Sequence, residues 1–304
     1  MPQILDNGTF NTCVNVASQA VISMRPHQWS KNILVLVPLF ISHQFDSNHI
    51  AKSSLAFVAF SLAASGAYIV NDLFDIEADR AHPRKCHRPF ASGTLPTWIG
   101  PILAAFLFIS SMYVAWHINS RFLLLLFLYL GSTAFYSMHL KKMLLADVVT
   151  LGCLYSVRVV AGGVAIDNII SEWLAAFSLL FFISLALIKR YAELLELAET
   201  GKMRADNRSY IVTDLPVVLS LATASAFGSI TVFVRYIGSE ETLRFYSHSE
   251  RLWLIAPILI YWISRAIMLA HRMRLKDDPV VFALTDLKSL LCGTCVAALL
   301  LSAI

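Results

Sequence analysis

The sequence predicts an all-α, polytopic membrane protein, and three observations carry that expectation. Hydrophobic residues fill 57% of the 304 positions, only 14% are charged, and mean hydropathy is +0.66. A soluble chain of this size needs about 25% charged residues to cover its surface. The apolar stretches are long and apolar all round, as in 122–137 and 252–270, where a transmembrane strand would alternate over about 10 residues. Disorder is excluded by the same numbers, since it requires low hydrophobicity and high charge.

Apolar windows bounded by charge, Pro or Gly give about nine spans, at 27–44, 53–71, 97–117, 122–139, 143–166, 172–189, 215–236, 251–271 and 285–303. His27, Lys31 and Pro38 interrupt the first of them, and Ser and Gly soften the second. Residues 1–20 lack a basic start and an apolar core, so they read as an N-terminal cytoplasmic segment and not as a cleavable signal. Residues 21–304 read as one transmembrane domain. Seventeen of the 24 Lys and Arg fall on the N-terminal flank and the even-numbered connections, and five on the other side. That asymmetry puts the N-terminus in the cytoplasm and the chain in the cytoplasmic (inner) membrane. Five Cys at 13, 86, 153, 292 and 295 form no disulfide framework. Cys292 and Cys295 lie in an apolar helix without His or Asp beside them, so packing explains them better than metal chemistry.

Polar chemistry concentrates in two cytoplasmic connections, about 72–96 and 190–214. The second span ends in Asn71-Asp72-Leu73-Phe74-Asp75-Ile76-Glu77-Ala78-Asp79. At about 100° per residue, Asn71, Asp75, Asp79 and Asp72 fall within one narrow helical face, with Glu77 opposite. An all-oxygen set of three carboxylates and an amide suits a hard divalent cation such as Mg²⁺, shared with a phosphate-bearing substrate. Acidic residues at a helix C-terminus facing anionic headgroups are otherwise disfavoured. Arg80, Arg84, Lys85 and Arg88 follow at once, so cations are available for the remaining oxygens of a diphosphate.

Asn71-Asp72-x-x-Asp75-x-x-x-Asp79, followed by Lys85-x-x-Arg88-Pro89 and Gly93, resembles the first signature of the UbiA superfamily of membrane prenyltransferases. That resemblance implies a helical bundle around a central cavity and Mg²⁺ held by Asn71, Asp72, Asp75 and Asp79. It assigns Asp72, Asp75 and Asp79 a catalytic role. Common members carry a second Asp-rich motif after the sixth helix. Here the place reads Lys189-Arg190-Tyr191-Ala192-Glu193-Leu194-Leu195-Glu196, with no Asp pair. A Lys and an Arg in that position favour an added anion over a second metal, most simply a phosphate monoester.

Together with Arg25-Pro26-x-Gln28-Trp29-x-Lys31-Asn32, this is similar to the decaprenyl-phosphate phosphoribosyltransferase branch. Such an enzyme moves 5-phosphoribosyl from phosphoribosyl diphosphate to a polyprenyl phosphate. The substrate-binding residues expected are Arg25, Lys31, Arg80, Lys85, Arg88, Arg158, Lys189, Arg190, Tyr191 and Glu193. Arg158 joins them because an intramembrane Arg is costly unless it faces a cavity or partner. Asp277-Asp278-Pro279 reads as a helix start.

The alternative reading keeps the fold and moves a prenyl group from prenyl diphosphate to an aromatic or other acceptor. A third, a non-catalytic transporter, finds neither an internal repeat nor mid-membrane polar residues other than Arg158 and Arg265 to support it. The partners implied are a polyprenyl lipid, a diphosphate-bearing donor and membrane lipids. No nucleic acid is expected, and a homo-oligomer is left open.

Overall fold

The computed structural model describes residues 7–82, 85–168, 170–204, 208–239, 242, 246–275 and 278–304. Its helices are α1 Asn7–Met24, α2 Val37–Ser42, α3 Ser47–Phe74, α4 Ile76–Ala81, α5 Ile99–Ile118, α6 Ser120–Met138, α7 Ala146–Ala165, α8 Glu172–Glu199, α9 Leu215–Ile237, α10 Ile255–His271, α11 Pro279–Thr285 and α12 Leu287–Ser302. Among the described residues the one extended pairing is an isolated bridge between Arg204 and Ile211. Among the described residues seven segments are long and apolar enough to cross a bilayer, and an eighth is counted if α11 and α12 form one bent span. The protein is a multi-pass, all-α integral membrane protein.

The expectation was about nine, and among the described residues the departures from it lie at the two ends of the chain. Residues 27–44 do not form one helix. Pro26–Leu36 winds as a 3₁₀ segment and α2 adds six residues, with Pro38 in the first turn of α2, where its missing N–H is harmless. The polar residues that interrupt this segment tie it to α3. Trp29 Nε1 donates to Ser65 Oγ at 2.9 Å, and Asn32 Nδ2 to Ser61 Oγ at 3.2 Å. At the other end, Asp286 adopts an extended conformation and caps α12 by accepting from the Ser289 amide, and α11 and α12 meet there at 81°.

The described residues within Met1–Ile33 and Ser54–Leu130 form one compact unit, and those within Leu34–Ser53 and Gly131–Ile304 a second. In the first, Ile69 packs with Phe90, Leu95, Ala104 and Leu107, and the Phe60 ring meets Phe122 and Tyr129. Gly100 lets α5 approach α3, since a Cβ there would lie 2.8 Å from the Leu73 side chain. In the second, α7, α8 and α9 bury Val148, Leu187, Ile188, Leu194, Val218 and Ala222. Gly162 lets α7 meet the backbone at Val35, whose carbonyl oxygen a Cβ would strike, the small-residue contact common between membrane helices. Leu124, Phe127 and Phe135 of α6 stay exposed, as a lipid-facing side requires.

Candidate active site

Two polar clusters form, one in each unit. The first grows from the end of α3. Asp75 leaves ideal helical geometry (φ −98°, ψ 10°) and starts α4. The turn-by-turn bonding nevertheless continues through it, from the Asp75 amide to the Asn71 carbonyl (3.0 Å) and from the Asp79 amide to the Asp75 carbonyl (2.7 Å). Asn71, Asp75 and Asp79 therefore rise on successive turns, as the sequence spacing requires.

Asp72 and Asp79 are buried. Buried carboxylates demand counter-charge, and two arginines supply it. Arg25 Nη2 lies 2.5 Å from Asp72 Oδ1, and Arg88 Nη1 bridges Asp72 Oδ1 (3.1 Å) and Asp79 Oδ2 (2.5 Å). Arg25 takes a left-handed backbone (φ 53°) where α1 gives way to the 3₁₀ segment, and its guanidinium sits 5.1 Å from the Tyr68 ring centroid. Arg88 arrives on a turn anchored in the core by Phe90 and Leu95, which are fully buried. Gly93 closes that turn with φ +78°. Arg80 Nε donates to the Ala91 carbonyl at 3.1 Å, which pins the same turn to α4.

Lys85 is exposed on a one-turn segment, and Lys31 is half-buried beside Asn32. Arg84 and Pro83 lie outside the described residues. The unit thus brings Arg25, Asp72, Asp79 and Arg88 into one ion cluster, with Asn71, Asp75, Lys85 and Arg80 around it.

Asp72 Oδ2 is buried and has no hydrogen-bond partner. An orphaned carboxylate oxygen in an all-oxygen set is what a hard cation would satisfy, so the residues suit Mg²⁺. Among the described residues no three His, Cys, Asp or Glu side chains are grouped to hold a metal by themselves. Mg²⁺ characteristically binds one or two carboxylates and completes its shell with water and substrate phosphate.

The second cluster is centred on Asp147, in the first turn of α7 and 0% exposed. It accepts from Tyr210 Oη (2.7 Å) and from the Val148 amide (2.7 Å). Arg190 Nη2 and Arg208 Nη1 each lie 3.2 Å from its Oδ2. Arg190 also pairs with Glu193 and stands over the Tyr210 ring. Burial, reinforced by the bond to Asp147, pushes the Tyr210 phenol far above its usual range, so it stays a donor.

α8 runs to Glu199, past the expected end at 189, and stops at a left-handed Gly201. There the Lys202 and Gly201 amides return to the Leu197 and Ala198 carbonyls. The loop beyond is fastened to residues 141–147. Arg208 and Ser209 donate to the Lys141 and Lys142 carbonyls, and the Leu145 amide donates to Tyr210 Oη.

The predicted residues of this unit separate onto different partners. Lys189 pairs with Asp278 at 3.0 Å, and Asp278 also accepts from the Val280 amide, capping α11. Asp277 lies outside the described residues. Tyr191 Oη meets His271 Nδ1 at 2.8 Å. Arg158 is buried, donating to the Leu154 carbonyl at 2.8 Å with its guanidinium over Tyr155. Arg265, left unassigned from the sequence, forms a two-toothed pair with Asp286 (2.7 and 2.9 Å). Asp147, Arg208, Tyr210, Asp278 and His271 were not among the expected site residues. An intramembrane carboxylate at 147 was the available signal.

Residues 33–290 match the UbiA prenyltransferase family. The chain belongs to that family. Its membership agrees with the transferase class expected from the sequence.

The relatives divide into two kinds. The uncharacterized protein y4nM of Sinorhizobium fredii is 38% identical over 277 residues, which cover 90% of this chain and 54% of y4nM, so the chain spans about half the length of that relative. The nodulation protein NoeC of Azorhizobium caulinodans is 31% identical over 88% of this chain and 87% of its own. The decaprenyl-phosphate phosphoribosyltransferase of Mycolicibacterium smegmatis is 37% identical over 220 residues, 69% of this chain and 68% of its own. In fold, the chain is similar to a UbiA homologue from Archaeoglobus fulgidus solved with GPP and Mg²⁺. The TM-score is 0.70 at 12% identity, over 94% of this chain and 99% of that one.

Proposed function

We propose that this protein transfers the 5-phosphoribosyl group of phosphoribosyl diphosphate to a polyprenyl phosphate of decaprenyl type, releasing diphosphate. The observation that carries this reading is the cationic chemistry at the end of α8. Lys189 and Arg190 stand where a two-metal family member would present a second carboxylate motif, and Arg208 follows in the loop beyond. A donor with a diphosphate and a 5-phosphate, and an acceptor that itself ends in phosphate, suit a region richer in cations than an aromatic acceptor would need. The relatives described as decaprenyl-phosphate phosphoribosyltransferases support the same reading.

In the reaction the bond from ribose C1 to the diphosphate oxygen breaks, and a bond from C1 to a phosphate oxygen of the lipid forms. Asn71, Asp72, Asp75 and Asp79 would hold Mg²⁺, which when bound neutralises the departing diphosphate. Arg88 bridges Asp72 and Asp79 and fixes their orientation, and Lys85 binds diphosphate oxygens. The nucleophile is already anionic, so the site needs positioning more than a general base. The charge asymmetry puts the N-terminus and this chemistry on the cytoplasmic face of the inner membrane.

Membranes containing the protein, Mg²⁺, ring-labelled phosphoribosyl diphosphate and decaprenyl phosphate test the reading: label should move into the lipid phase. Label that stays in the aqueous phase, with geranyl diphosphate consumed in a parallel reaction holding an aromatic acceptor, would establish prenyl transfer instead. The family's name and its GPP-bound member favour that second reading.

A further inference from the structure

The sequence expectation named Lys189 and Arg190 together as cations for an added anion, but the two arginines around Asp147 are not equivalent. Arg190 is 2% exposed and held between two carboxylates, Asp147 and Glu193. Its Nε, the donor left without a partner, is buried too. Arg208 is 27% exposed and meets Asp147, which Arg190 already shares, with Tyr136 and Glu193 also acting on its guanidinium. Of the two arginines it is the one that reaches the surface.

Residues 208–210, which carry Arg208, are fastened to residues 141–147. Ser209 bonds to the Lys142 carbonyl, and Tyr210, 1% exposed, is locked to Asp147 and the Leu145 amide. A cation delivered on a fastened loop loses little entropy on binding an anion.

We infer that Arg208 is the residue of this unit that binds a phosphate monoester of the substrates, with Asp147 as its positioning residue. Arg190 is then the internal brace that holds the buried Asp147 side chain in place. The inference rests on the phosphoribosyl reading and sharpens it, because the two substrates each bring one monoester: the 5-phosphate of the donor and the phosphate of the lipid. Charge-assisted bonds from a guanidinium to phosphate are the strong ones, so the loss of Arg208 falls on binding.

Steady-state kinetics with both substrates varied test this. Arg208→Gln should raise the KM of one substrate at least ~10-fold, with kcat held within about threefold. Arg208→Lys should recover part of the loss. Asp147→Asn should raise the KM of that same substrate and not the other. A rise for phosphoribosyl diphosphate assigns the donor's 5-phosphate, and a rise for decaprenyl phosphate assigns the lipid. Unchanged KM for both, or losses confined to kcat or to the yield of folded protein, would overturn the assignment.

Calorimetric titration of purified protein with ribose 5-phosphate and with decaprenyl phosphate separates this from the reaction itself. Monoester binding that needs Arg208, in a protein that turns over no phosphoribosyl diphosphate, leaves Arg208 standing and removes the proposed reaction. Equal binding by wild type and Arg208→Gln removes Arg208.

Discussion

Asp72 and Asp79, seven residues apart and both buried, end on a single nitrogen of Arg88 at 3.1 and 2.5 Å. The two carboxylates belong to different helices, α3 and α4, so the arginine holds the acidic stripe in shape across the break at Asp75. Removing one partner of a buried pair strands the other charge, which costs more than the pair is worth.

Arg88→Gln should therefore destabilise the protein by about 3 kcal/mol. Arg88→Gln with Asp79→Asn should be less destabilised than the single variant, since a stranded charge has been removed. Thermal melts of the detergent-solubilised proteins measure both. A double variant worse than the single by the sum of two independent losses would show that the bridge is not what stabilises this corner.

Gly162 permits α7 to touch the backbone at Val35. Its obstacle is a main-chain carbonyl, which cannot rotate away as a side-chain tip can. Gly162→Ala should cost at least ~2 kcal/mol, in the range of overpacked cores. Gly131→Ala, where a Cβ meets nothing within 4 Å, should be close to neutral. The paired melts check this, and equal effects at the two sites would contradict it.

Arg265 and Asp286 meet where α11 turns into α12 at 81°. Asp286 also caps α12 through the Ser289 amide. Asp286→Ala removes both roles and should cost about 3 kcal/mol. Asp286→Asn retains the cap and should recover about 1 kcal/mol of it. Hydrogen exchange at the start of α12 reads the loss locally, and protection unchanged there in Asp286→Ala would be evidence against the cap.

Tyr210 has a phenol raised by burial above its ordinary value of 10. A group whose folded-state pKa lies above its unfolded value contributes fully below the unfolded value, and that contribution is lost as pH climbs through the folded one. The stability difference between wild type and Tyr210→Phe, about 1–2 kcal/mol, should accordingly stay constant from about pH 6 to 9. It should shrink only above pH 10, and a difference that falls between pH 6 and 8 would show that another group is titrating.

Much of this fold could be read from apolar length alone, because a helix in lipid must satisfy its own backbone. The acidic stripe was equally legible, since Asn71, Asp75 and Asp79 repeat every four residues and their backbone bonds carry that repeat across the helix break. The end effects were not. Pro26–Leu36 has the composition of a helix, and its 3₁₀ winding accompanies Trp29 and Asn32 bonds to a helix 29 to 36 residues away. The last span, expected at 285–303, instead begins at a bend whose corner, Asp286, is paired with Arg265. The Asp147 cluster was hidden for the same reason. Its partners come from 43, 61 and 63 residues further along, so no local spacing announces it. Arg190 faces Asp147 and Glu193, while Lys189, about 100° away on the helical wheel, goes to Asp278 instead.

Binding of phosphoribosyl diphosphate to the purified protein, titrated with and without Mg²⁺ in wild type and in Asp75→Ala, tests the central claim most directly. Asp75 is half-buried and makes no side-chain bond among the described residues, so its loss should leave the fold intact. Wild type should bind the donor only when Mg²⁺ is present, and Asp75→Ala should lose at least ~10-fold in that Mg²⁺-dependent affinity. Equal affinity in the two proteins, or binding indifferent to Mg²⁺, would contradict the account.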